Sequence, residues 1–150
     1  MRLDRLKSFA LALPQTTTVD QWGCLVFKVA GKVFIILSLD GALPDGISLK
    51  CTPEEFDALT ERDGFSPAPY CAKRHWFRLN DLSLVPESEL QGLIRRSFDL
   101  VVANLIAEIL IDMAPELLRR TTPGGHLILS GILGEKSGWV VEEFVKSGAV

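Results

Sequence analysis

Histidine occurs twice, tyrosine once and cysteine three times in these 150 residues, and each scarcity removes a class of chemistry. Cys24, Cys51 and Cys71 are odd in number and lie 27 and 20 residues apart. That is neither a CxxC metal pattern nor a disulfide framework, so reduced, mostly buried thiols of a cytoplasmic protein are the expectation. His75 has no second histidine near it, and no serine or acid stands in a nucleophile motif; no catalytic residue and no metal site is predicted. His126 reads as the first residue of a strand. No apolar run approaches the roughly 20 residues that span a bilayer. The opening MRLDRLKSFALALP is basic before it is apolar, but Asp4 interrupts the basic part and the run Phe9–Leu13 is short. It reads as a first helix rather than a signal peptide.

A dominant charge is also missing. Sixteen basic against nineteen acidic side chains leave a net −3; residues 1–103 carry 12 against 13, and residues 104–150 carry 4 against 6. No global basic field exists to draw in a polyanion, so any nucleic-acid contact must rest on a local patch.

What is present is hydrophobic patterning. Leu3, Leu6, Phe9, Ala10 and Leu13 recur at helical spacing, and Pro14 ends the helix. Gln15 to Gln21 is polar and reads as a loop. LVFKVAGKVFIILSLD then gives two strands hinged at Ala30-Gly31-Lys32, where Gly31 can take the positive φ of a tight hairpin. Leu25, Phe27, Val29, Val33, Ile35, Leu37 and Leu39 share the core face, while Val26, Phe34 and Ile36 imply a partly covered second face. Ile47 to Cys51 is a third strand. Thr52-Pro53-Glu54-Glu55 is a helix start, with Thr52 as cap, Pro53 first and Glu55 closing a capping box; Phe56 and Leu59 form its buried side. FSPAPY and HWFRLN are strand-like around CAKR, and Pro86 opens a helix with Leu90, Leu93, Ile94, Phe98 and Val101 inward. There is no internal repeat.

These segments in this order resemble the MmcQ/YjbR family: the helix ending in LALP, Trp22-Gly23, LVFKVAGKVFIILSLDG, ISLKCTPEE, FSPAPY, KRHW at 73–76 and LIRRSFDLVVA at 95–103. The resemblance covers about residues 5–103. It implies an α+β fold, an antiparallel sheet with helices of the frataxin/CyaY-like, double-wing kind, and a family usually described as DNA-binding. Within it, KRHWFR (Lys73, Arg74, His75, Trp76, Arg78) is the most site-like cluster. Cations supply phosphate contacts, and an exposed indole offers a stacking face. Strand alternation puts Arg74, Trp76 and Arg78 on one face and Lys73, His75 and Phe77 on the other, with Lys28, Lys32 and Lys50 extending a basic surface. The competing reading is an exposed strand with solvated cations and Trp76 packed on the core.

From Phe98 onward, FDLVVANLIAEILIDMAPELLRRTTPGGHLILSGIL resembles a late strand–helix–strand unit of a PrmA-type ribosomal protein methyltransferase. That resemblance implies a C-terminal α/β, half-Rossmann-like extension over 104–150, with strands at 98–103 and 127–130. Residues 137–147 form a helix with Val140, Val141, Phe144 and Val145 inward. Asn104 matches a position that lines the family's reaction pocket. The glycine-rich turn that would hold S-adenosylmethionine has no counterpart upstream, so no cofactor is predicted and Asn104 is expected to be idle.

The two resemblances make opposite demands on residues 98–103, the last turns of a helix or a strand. Leu90, Leu93, Ile94, Phe98, Val101, Leu105, Ile109, Met113 and Leu117 continue one helical stripe, so a single helix to about Arg120 is expected, with Pro115 its main obstacle. The tail is then a mostly helical extension, with 127–132 added to a sheet edge or pairing between chains. Its apolar surface predicts a homodimer. Three functions remain open: a DNA-contacting module without catalytic activity, a methyltransferase remnant inactive alone, and a structural or interaction protein.

Overall fold

The hairpin at Ala30-Gly31 organises the sheet. Both residues have positive φ, 46° and 79°, and turn β2 (Cys24–Val29) into β3 (Lys32–Asp40). The computed structural model describes residues 1–150 and separates into two units, Met1–Val101 and Val102–Val150.

In the first unit, α1 (Leu3–Leu11) buries Leu6 and Ala10. Thr16–Gln21, expected as a loop, is strand β1, running from Thr16 opposite Val29 to Gln21 opposite Cys24. Its polarity hid it: an edge strand keeps much of its surface in water, and threonine and valine form strands well. β4 (Leu43–Lys50) begins earlier than the expected third strand and ends one residue sooner. With β5 (Phe65–Pro67) and β6 (Trp76–Leu79) these strands make one antiparallel sheet in the order β1-β2-β3-β4-β6-β5.

Cross-strand register builds the core in rows. Leu25, Leu37, Ile47, Leu79 and Phe65 lie opposite one another in turn, and Phe27, Ile35, Leu49 and Phe77 form the next row; all are buried. Val33 and Leu39, expected on this face, are half-buried. Between the rows and the hairpin, Phe27 faces Ile35 but Lys28 faces Val33, so Phe34 is an extra, unpaired residue. The Ser97 hydroxyl takes up the slack: it donates to the Phe34 carbonyl at 2.6 Å and accepts the Lys50 amide at 2.9 Å. Beside it the Phe98 ring meets Phe34 edge-on, with centroids 5.3 Å apart.

α2 (Pro53–Thr60) starts as the sequence predicts. Thr52 Oγ1 accepts the Glu55 amide and Glu55 Oε2 accepts the Thr52 amide, while Phe56 and Leu59 are half-buried. α3 (Glu87–Arg120) is a single helix of 34 residues. Residues 98–103 lie inside it, and it runs through Pro115, where the missing N–H costs about 3 kcal/mol in a helix interior.

The second unit holds the end of α3 and α4 (Gly134–Lys146), joined around Ala107, Ala114, Val140 and Phe144. Two expectations fail here. Val141 and Val145 are 60% and 57% exposed instead of inward. The half-Rossmann extension that the PrmA resemblance implied is replaced by a helical pair: 127–132 form no strand, and 98–103 lie in α3 as the helical stripe predicts. No helix of the chain is long and apolar enough to cross a membrane.

Candidate functional site

The segment KRHWFR does not run as one strand. Ala72–Arg74 is a single 3₁₀ turn, and His75 closes it in the left-handed region at φ 58°, ψ 48°, a conformation histidine enters more readily than most residues. The expected alternation of Arg74, Trp76 and Arg78 on one exposed face is therefore lost. Lys73 and Arg74 stand on the turn, exposed and without an ion-pair partner. Trp76 enters β6 opposite Lys50 and is only 7% exposed, which leaves no face for a base to stack on. His75 is half-buried, its ring edge-on to Phe56 at 5.8 Å, and its carbonyl accepts the Cys51 amide.

Arg78 is committed to the fold. Its guanidinium donates to Ser38 Oγ at 2.8 Å and to the Asp45 carbonyl, lies 3.5 Å from an Asp45 carboxylate oxygen, and keeps 17% side-chain exposure. Gly46 makes room for it. A Cβ there would lie 2.5 Å from Arg78 Nη2, and φ is +115°.

Register places the remaining cations together. Lys50 ends β4 and donates from Nζ to the Arg74 carbonyl at 3.0 Å, stitching the turn to the sheet. Lys28 faces Val33 and Lys32 opens β3, on the hairpin at that same end of the sheet. Lys28, Lys32, Lys50, Lys73 and Arg74 thus share one end. The three acidic residues that lie in strands, Asp20, Asp40 and Asp45, sit toward the other.

A groove of about 650 Å³ opens between α2 and α3, floored by Cys51, Leu59, Phe77 and Leu93. Two ion pairs bridge its rim, Arg62–Glu89 at 2.7 Å and Arg96–Glu55. Sequence reading missed this groove, since its residues are dispersed from 50 to 96. Burial, followed by the nearby Glu55 carboxylate, pushes the Cys51 thiol up to about 11, so it stays protonated and is a poor nucleophile at neutral pH. Asn104, which the methyltransferase resemblance sets at a strand end, is inside α3 and donates from Nδ2 to Glu108 Oε1 at 2.8 Å.

Two family models match the chain, and their matches overlap over residues 72–100. Residues 11–100 match the family model YjbR, and residues 72–149 match the model described as Ribosomal protein L11 methyltransferase (PrmA). The chain belongs to the YjbR family at one end and to the PrmA family at the other. The YjbR part is similar to the crystal structure of a Deinococcus radiodurans protein with the domain DUF419. That match has a TM-score of 0.59 and 27% identity, and covers 67% of this chain and 78% of that one. A Pseudomonas syringae protein shares the fold at TM-score 0.55 and 23% identity, over 67% and 98%. The PrmA part is 49% identical over 69 residues to a ribosomal protein L11 methyltransferase of Geotalea uraniireducens, covering 44% of this chain and 22% of that protein. It is 54% identical over 57 residues to the same-named protein of Geobacter sulfurreducens, covering 38% and 19%. The chain thus spans about a fifth of the length of these curated relatives.

Proposed function

We propose that the YjbR-family part is a non-catalytic module that contacts nucleic-acid phosphates through the cationic end of its sheet. The PrmA-like tail, on this reading, contributes packing surface and no chemistry. The observation that supports it is the grouping of Lys28, Lys32, Lys50, Lys73 and Arg74 at one end of the sheet, with the strand acids toward the other and Glu54 and Glu55 of α2 next to Lys50. The cations spread from β2 across β3 and β4 to the turn before β6, three inter-strand spacings or roughly 15 Å. That reach matches about four phosphates of one DNA strand at about 3.4 Å of axis each. Trp76 is buried and Arg78 is occupied, so neither of these two stacks on or reads a base, and the proposed contact is with phosphates and salt-sensitive.

The test is an anisotropy titration of a labelled duplex across a salt series. The Lys73→Ala/Arg74→Ala double variant is expected to flatten the log–log slope by about 2, near 0.9 per phosphate contact. Trp76→Phe is expected to leave it unchanged. Absence of binding at low salt, or equal slopes for the double variant and the parent, would sink the proposal.

Two features of the tail support its lack of chemistry on this reading. Asn104 is engaged within a helix, and no glycine-rich turn following a strand precedes it. Calorimetry with S-adenosylmethionine on the full chain is expected to give no heat; micromolar binding would overturn this part.

A further inference from the structure

The link between α3 and α4 carries a second surface. From His126 to Ser130 the chain is neither helix nor strand, and no N–H or C=O of these residues takes part in a hydrogen bond. It contains no proline, and Leu127, Ile128 and Leu129 suit an extended chain. Ile128 is 90% exposed. Beside it lies a hollow of about 720 Å³ to which Leu127, Leu129, Val141 and Val145 contribute. The unit behind it has a core of four buried residues in 49, and a core that small generally needs a partner to be stable.

We propose that Leu127–Ser130 is a docking strand through which two copies of this chain pair, antiparallel about a two-fold axis. Each copy supplies the hydrogen-bond partners that the other lacks, in the manner of strand addition at an open edge. Charge selects the occupant. No Asp, Glu, Lys or Arg occurs from Thr121 to Gly134, and none lines the hollow, so a charged segment docking there would lose hydration without compensation. A second copy of the same run is uncharged and meets no repulsion. Arg119 and Arg120 precede the run and Glu135 follows it, with the neighbouring Lys136 over the Trp139 ring. Arg119 and Arg120 are each held by Glu116 within α3, and antiparallel pairing centred near Leu127 and Ile128 sets the two uncharged runs against each other without bringing the two copies' arginine flanks together. An interface that repeats one patch in this way closes as a dimer. The inference is independent of phosphate binding, which concerns the other unit.

Light scattering coupled to size exclusion, on the full chain over a concentration series, tests the pairing. A dimer is expected, and Ile128→Glu is expected to weaken it by about tenfold or more, since a carboxylate would enter an apolar contact. Because Ile128 is exposed, helical circular dichroism should not change. Ile128→Pro, which removes one strand donor, should weaken the dimer as well. Hydrogen exchange adds a local readout: the amides of 127–130 should be protected in the dimer and fast in Ile128→Glu. A chain that stays monomeric at its highest attainable concentration overturns the proposal. So does a dimer indifferent to both variants, or one whose 127–130 amides exchange freely.

Discussion

Replacing Ser97 by alanine should destabilise the sheet-bearing unit by about 2–4 kcal/mol. The hydroxyl is fully buried, donates to the carbonyl of the bulged Phe34 and accepts the amide of Lys50. Its removal strands one acceptor and one donor of the backbone, each costing about 1–3 kcal/mol when no substitute is found, and slight strand relaxation recovers part. The loss is a large share of the roughly 5–15 kcal/mol that holds a domain together. The chain offers its own reporter, since Trp76 is buried while Trp22 and Trp139 are exposed. In a Trp22→Phe, Trp139→Phe background, urea unfolding followed by fluorescence reads the sheet alone. The midpoint should fall with an unchanged slope, because the surface exposed on unfolding is the same. Ser8→Ala, on the exposed side of α1, is the control and should shift little. A Ser97→Ala loss below about 0.5 kcal/mol would refute the reasoning, being the size of an ordinary surface substitution.

Three further outcomes follow from side chains with defined partners. Arg78→Ala should cost about 1–3 kcal/mol by freeing Ser38 and the Asp45 carbonyl, with little change in the salt slope of any DNA binding, which separates a structural arginine from a contacting one. Gly46→Ala should destabilise by a similar order, about 1–3 kcal/mol, because positive φ strain adds to the collision with Arg78; chemical denaturation of both variants checks this. Cys51 should react with a disulfide reagent far more slowly than Cys24 or Cys71 at pH 8. Because its folded pKa lies above the unfolded one, the stabilisation this thiol contributes is complete below about pH 9 and lost as pH rises toward 11.

Much of the sheet was legible because alternation survives burial. The hairpin at Ala30-Gly31 and the capping box at Thr52 are local signals, written within two to four residues, and the structure has both. β1 was not legible, since Thr16 to Gln21 is polar and only its pairing with β2 makes it a strand. The seam at 98–103 turned on contacts far away in sequence. Ser97 and Phe98 are tied to Phe34, 63 and 64 positions earlier, and those ties favour the helix over a strand that would have had no neighbour. The cationic cluster was visible as KRHWFR, but its geometry was not. One left-handed residue, His75, breaks the alternation and divides exposed Lys73 and Arg74 from buried Trp76. Polarity along the sheet became apparent only once register set Lys28, Lys32 and Lys50 at a common end.

Glu55 divides its carboxylate between two tasks. One oxygen closes the first turn of α2 on Thr52, and the other pairs with Arg96 on α3. Glutamine could still accept the Thr52 amide but would turn an NH₂ toward the guanidinium; aspartate is too short for either reach. Saturation mutagenesis should therefore find position 55 less permissive than position 52 or 96, since each of those neighbours answers to a single demand and it answers to both.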